Sequence, residues 1–263
     1  ASRYIQQGIE LVGKDGWLKE YDLCLSLHNV SAEVQYCNAE FKKLEEAVNE
    51  VLKNARIFRD ELQARSTMVY ALNATYRVQE AIDMGCDILR RLGEGLPKNP
   101  NYLNCHFEVR QTSRMLNGKT DTDLLNLPRM SDPDKLTCMH ILNHLFVSCY
   151  LCRRKLAPFI SLRMIKLTLR YGLCEISAVG FAVYGTMLCG TLGRTKEGYR
   201  FGKLALVLVD QLKARAWVPR VHATFYSCIH HWQEPLRTSI RPLMHASRVG
   251  LTTGDFEFAM LCA

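Results

Sequence analysis

Phe41-Lys-Lys-Leu44-Glu-Glu-Ala47-Val48-Asn-Glu-Val51-Leu52-Lys-Asn-Ala55 decides the fold class. Leu44, Ala47, Val48, Val51 and Leu52 recur at the spacing of one helix face, and Glu45 and Glu46 lie on the opposite, wet side. The same rhythm precedes it from Trp17 to Asn38, where Leu18, Tyr21, Leu25, Val30, Ala32 and Tyr36 form an apolar stripe, with Asp15 as the expected cap. It continues over 62–74 and 78–92, where Gly93 ends it. Leu96-Pro97-Lys98-Asn99-Pro100 breaks the pattern, and Asn99 then Pro100 read as cap and first position of a helix reaching Leu116. Residues 117–130 are irregular, with Gly118, Asp121, Asp123 and Pro128. Ser131-Asp132-Pro133 opens a helix to Cys152, again cap then proline. Helices are then expected over 158–171, 176–192, 195–212, 217–231 and 235–251, with Pro242 as a kink, and a last one from Asp255. Asp15-Gly16 and Asn117-Gly118 lack flanking alternation, so neither signals a hairpin of strands.

Helices alternate with short turns in units of roughly 34 to 40 residues. Ala39-Glu40-Phe41 and Tyr76-Arg77-Val78 occupy equivalent turns 37 residues apart, and Gly193-Arg194-Thr195 is a third. Ala47, Ala81, Gly198 and Gly202 follow in the second helices, and Gly180, Gly185 and Gly190 lie on a first helix. Small residues there let paired helices approach closely. A lone hairpin cannot bury its stripe, but stacked hairpins can. The expected fold is therefore all-α: an α-solenoid of stacked antiparallel hairpins, tetratricopeptide-like. One segment is expected over 1–263, with N-terminal repeats 1–117, a linker 118–131 and C-terminal repeats 132–263, cut from a larger chain.

The 263 residues are 48% hydrophobic and 23% charged, which excludes wholesale disorder and collagen. Eleven scattered cysteines among apolar neighbours read as free thiols of a reducing compartment, hence a cytoplasmic protein. No signal peptide is expected. The uncharged run 176–193 is read as a buried helix because it holds four glycines, and no membrane span is expected.

The candidate chemistry is thin. Cys138, His140, His144, Cys149 and Cys152 share one helix, but the His pair and the last Cys pair lie about half a turn apart, so no single ion is reached and no metal is expected. Gly198-Tyr-Arg-Phe-Gly202-Lys203 has the wrong spacing for a phosphate loop, lacks a hydroxyl after the lysine and follows no strand. At His230-His231-Trp232-Gln233-Glu234-Pro235 the expectation is structural, with Trp232 packing a turn and Glu234 favouring a helix start. No catalytic residue and no cofactor are assigned, and the segment is read as no enzyme. Charge is the remaining signal. Residues 151–263 hold 16 Lys and Arg against 6 Asp and Glu, a net of +10, and the first 150 carry −2. Arg237, Arg241 and Arg248 fall within about 40° on a helical wheel and form a candidate basic docking face.

Several runs carry a family resemblance: Leu27-His-Asn-Val-Ser-Ala-Glu-Val-Gln-Tyr36, Leu124-Leu-Asn-Leu-Pro-Arg-Met-Ser-Asp-Pro133, Tyr184-Gly-Thr-Met-Leu-Cys-Gly190, Gly198-Tyr-Arg-Phe-Gly-Lys-Leu-Ala205 and Arg248-Val-Gly-Leu-Thr-Thr-Gly-Asp-Phe-Glu257. The chain resembles the tetratricopeptide-like helical region that follows the predicted signal-transduction ATPase domain of large serine/threonine and hybrid histidine sensor kinases. It departs at Ala39, where Gly is usual, and at Arg194, where Asp is usual. The resemblance implies a non-catalytic scaffold contacting proteins or neighbouring domains of the same chain. ATP-binding and phosphotransfer residues lie in other domains. A nucleic-acid-binding helical repeat using the basic half is the alternative.

Overall fold

The computed structural model describes residues 1–13 and 15–263. Fifteen α-helices and three short 3₁₀ turns follow one another, and the described residues form no β-strand. The chain is all-α. It divides into two compact units, Ala1–Gly95 and Leu96–Ala263.

The first unit holds α1 (Ser2–Val12), α2 (Gly16–Lys19), α3 (Tyr21–Cys37), α4 (Phe41–Asn54), α5 (Phe58–Ala74) and α6 (Val78–Arg91). The α3–α4 and α5–α6 hairpins pack within themselves and α4 packs on α5. Leu44, Ala47, Val48 and Val51 join Ala32, Ala64 and Ala71 in one core, so the α4 stripe points where its periodicity places it. The stripe expected from Trp17 to Asn38 breaks at Glu20, where the backbone leaves helical geometry between α2 and α3. Tyr21 then donates its hydroxyl to Asp60, and Arg56 lies 3.9 Å over the Tyr21 ring.

One turn recurs. Ala39 (φ 56°), Tyr76 (φ 60°), Gly93 (φ 79°) and Lys213 (φ 53°) all have left-handed backbone. In each case the following N–H bonds a carbonyl five residues back: Glu40 to Gln35, Arg77 to Leu72, Glu94 to Leu89, Ala214 to Val209. Each such bond caps one otherwise orphaned carbonyl at the helix end. The matched positions 39 and 76 thus share one conformation, although only Gly93 of the four is glycine.

The second unit holds α7 (Tyr102–Leu116), α8 (Asp121–Leu125), α9 (Pro133–Cys152), α10 (Ala157–Tyr171), α11 (Ile176–Gly190), α12 (Thr195–Gln211), α13 (Val218–Cys228), α14 (Ile240–Thr253) and α15 (Phe256–Leu261). Two start signals differ in their outcome. Asp132 caps α9 as expected, accepting from the backbone of Asp134 and Lys135. The cap of α7 is Asn101, not Asn99, because the Asn101 side chain accepts from Asn104 N at 2.8 Å. The stretch 118–131 holds α8 and lies within the second unit, which begins at Leu96. Thr120 and Asp123 form a reciprocal capping box for α8, and Leu124 is buried. Pro128–Met130 bonds to Leu173 through Leu173 N to Pro128 O (2.7 Å) and Met130 N to Leu173 O (2.8 Å).

The α11 helix is the centre of this unit. It packs on α9, α10, α12 and α13, and thirteen of its fifteen residues are buried, which explains its uncharged sequence. No helix among the described residues is long and apolar enough to cross a membrane. A Cβ on Gly198 would stand 2.6 Å from Gly185 O and 2.4 Å from Cys189 Sγ, so α11 and α12 meet backbone to backbone. Gly202 leaves room for the Phe225 ring, 2.5 Å from its would-be Cβ. The Gly-Tyr-Arg-Phe-Gly run is therefore a helix crossing. Gly190, placed in the same role by sequence, has no neighbour within 4 Å.

Candidate functional site

The candidate face is built on α14. Pro235 precedes a 3₁₀ turn over Leu236–Ser239, and α14 begins at Ile240. Pro242 sits in the first turn, where its missing N–H has no helical partner to lose, so it starts the helix instead of kinking it. Ala246, Val249 and Gly250 form the buried face. Gly250 admits α15 closely: a Cβ there would stand 2.7 Å from Ala259 Cβ. Arg220 on α13 ties the end of α14 down. Its Nε lies 2.9 Å from Asp255 Oδ2 and its guanidinium 4.4 Å from the Phe258 ring, and this ion pair is largely buried.

The opposite face is apolar and open. Ile240, Met244 and Leu251 fall within roughly 40° of one another at about 100° per residue, and with Leu236 they are between 49% and 64% exposed. Arg241 and Arg248, seven residues apart, run along one edge of this stripe. Arg237 lies on the 3₁₀ turn before the helix, so it does not share the α14 wheel. All three are exposed, and none has an acidic partner among the described residues. The arginines are legible in the sequence and the apolar stripe beside them is not, because Leu and Met at helical spacing read by default as core.

His140, His144, Cys149 and Cys152 all lie on α9, and the described residues contain no group of three or more His, Cys, Asp or Glu arranged to hold a metal. Burial pushes the His144 imidazole down to about 3, with Arg220 and His140 adding repulsion. At the His-His-Trp run the packing residue is His230, 6% exposed, and not Trp232, 47% exposed. His230 lies among the rings of Tyr199, Phe225 and Tyr226, and its Nε2 is 2.6 Å from Thr238 Oγ1. Imidazole is the smaller ring and can satisfy a nitrogen there. All eleven cysteines are free thiols. No spacing or motif marks Lys166, which is buried on α10 and bonds Glu108 and Gln111 of α7.

Comparison with known proteins gives one informative likeness. The chain is similar to hybrid signal transduction histidine kinase G of Dictyostelium discoideum, with 22% identity over 266 aligned residues. The alignment covers 92% of this chain and 8% of that kinase, so the chain spans less than a tenth of the relative's length. A hybrid histidine kinase is the class of parent protein that the sequence resemblance implied. No family profile matches the chain, the tetratricopeptide repeats included. No solved structure matches it.

Proposed function

We propose that the chain is a non-catalytic, helical-repeat scaffold of a large cytoplasmic signal-transduction kinase, and that α14 docks an acidic amphipathic helix of a partner or neighbouring domain. The observation that carries the reading is the exposed stripe of Leu236, Ile240, Met244 and Leu251 edged by Arg241 and Arg248. A helix whose own apolar stripe is edged by carboxylates complements both features, and this is a common mode of helix-in-groove recognition. The recurrent hairpin turn supports a repeat architecture. The likeness to a hybrid histidine kinase supports the signalling context.

The test is binding of a helical peptide carrying a leucine stripe edged by glutamates. Paired changes Ile240→Glu/Met244→Glu and Arg241→Glu/Arg248→Glu are each expected to weaken it at least about tenfold. No binding of that peptide removes the reading. A single-stranded RNA that binds more tightly, with strong salt dependence, replaces it with the nucleic-acid alternative, which the basic charge of the C-terminal half favours.

A further inference from the structure

A second basic feature lies away from α14, at the C-terminal end of α7 and the first turns of α12, both within the second unit. A cleft of about 430 Å³ opens there, lined by Arg110, Arg114, Lys119, Arg194 and Arg200, with Glu197 the acidic side chain among them. We infer that this cleft is an anion site for a small ligand bearing two or more linked phosphate groups. The inference does not rest on the docking role proposed for α14.

Charge is the first argument. Arg110 and Arg114 are one turn apart on α7, exposed, and without a side-chain partner among the described residues. Like charges at this spacing repel and cost stability until a counter-ion sits between them. Arg200 is fixed in place, with Nε 2.7 Å from Asp121 Oδ1 and a terminal nitrogen 3.1 Å from Lys119 O. Arg194 pairs with Glu197 in the first turn of α12. Setting Glu197 and Asp121 against the five cations leaves a net of +3. One phosphate monoester brings at most about −2. Two linked phosphates match the remainder, and guanidinium forks suit phosphate oxygens geometrically.

Shape is the second argument. The cleft is concave and of a size that takes a small molecule. Its one aromatic lining residue, Phe201, is buried and stacked 6.0 Å from the Phe181 ring, so it offers no platform to a base. Recognition is then of the phosphate chain, whatever group carries it.

The experiment is titration of the whole chain at low ionic strength with orthophosphate, pyrophosphate, metal-free ATP, adenosine and a singly phosphorylated serine peptide, followed by calorimetry. Pyrophosphate and ATP are expected to bind within about threefold of each other and at least about tenfold more tightly than orthophosphate. Arg110→Gln/Arg114→Gln weakens both ligands at least about tenfold, because two charge-assisted contacts are lost. Glu197→Gln tightens them by removing the competing carboxylate, a change of sign that loss of structure cannot imitate. Arg241→Gln/Arg248→Gln, on the other surface, leaves them unchanged. The proposal is overturned if pyrophosphate shows no saturable binding, if the α7 double variant binds as wild type, or if the α14 variant loses as much. It is also overturned if adenosine binds, or if a singly phosphorylated serine peptide binds more tightly than pyrophosphate.

Discussion

The α3–α4 and α11–α12 hairpins close through different hydrogen bonds, Glu40 N to Gln35 O five residues back and Arg194 N to Leu188 O six residues back, and are held together differently. Ala39 and Gly193 both turn the chain through left-handed backbone, at φ 56° and 66°. Beyond the turn, α3–α4 is a side-chain interface, in which Leu44, Ala47, Val48 and Val51 fill the space beside Ala32. At α11–α12 the backbones themselves touch through Gly185 and Gly198, and α11 is enclosed on nearly every side. The electrostatics diverge as well. Residues 1–95 carry 12 Lys and Arg against 15 Asp and Glu, a net of −3, and residues 96–263 carry 22 against 11, a net of +11. One hairpin plan thus tolerates either mode of packing, but the glycine mode leaves no slack for substitution.

The sharpest way to break the comparison is Gly198→Ala. Its new methyl would stand 2.6 Å from a backbone carbonyl, which cannot turn aside, and 2.4 Å from the sulfur of the buried Cys189. A loss of about 3 kcal/mol is expected from denaturant unfolding, at the upper end of overpacking costs. Gly190→Ala, in open space at the end of α11, is the matched control and should be neutral or stabilising by up to about 1 kcal/mol.

Acid should separate the two regions next. His144 lies on α9, packed against α11, and its imidazole is pushed down to about 3 from an unfolded value near 6.5. Between those values the unfolded chain holds a proton that the folded chain does not. Stability is therefore full above about pH 6.5 and falls by up to about 1.4 kcal/mol per pH unit below it. Hydrogen exchange from pH 7 to 5 should show α9–α11 losing protection by up to about 2 kcal/mol. His144→Gln should flatten that slope, and an unchanged slope would place the acid sensitivity elsewhere.

Legibility followed the same division. The existence and type of the longer helices from α3 onward were readable, because 3.6-residue periodicity and caps such as Asp132 act locally. The glycine crossing was readable in Gly198, since a glycine inside a helix is costly unless something needs its space. Position along the chain was harder. Asn101 displaced Asn99 as a cap by a two-residue choice between neighbouring asparagines. The five-residue helix α8 is too short to leave a periodic signal and is fixed by the Thr120–Asp123 capping box. The surface features were half legible. Arg241 and Arg248 lie on one helix, but Arg110, Arg114, Arg194 and Arg200 come from elements some eighty residues apart, and only packing brings them to one cleft.

The smallest effect tests the left-handed residue that each of these turns carries. A residue with a Cβ in left-handed backbone costs roughly 1 kcal/mol relative to glycine. Ala39 and Tyr76 bear that cost at equivalent places, and Gly193 does not. Tyr76 is strongly exposed, so removing its ring sacrifices little packing. Ala39→Gly and Tyr76→Gly should therefore each raise stability by about 0.5 to 1 kcal/mol, less the greater freedom that glycine gives the unfolded chain. Gly193→Ala should lower stability by a similar amount. The three midpoints in urea, read together, measure whether the turn contributes equally in both regions. Opposite signs at Ala39 and Gly193 would mean that the hairpins differ only in how their helices pack. A stabilisation at Tyr76 absent at Ala39 would mean that the α3–α4 turn is held by its neighbours.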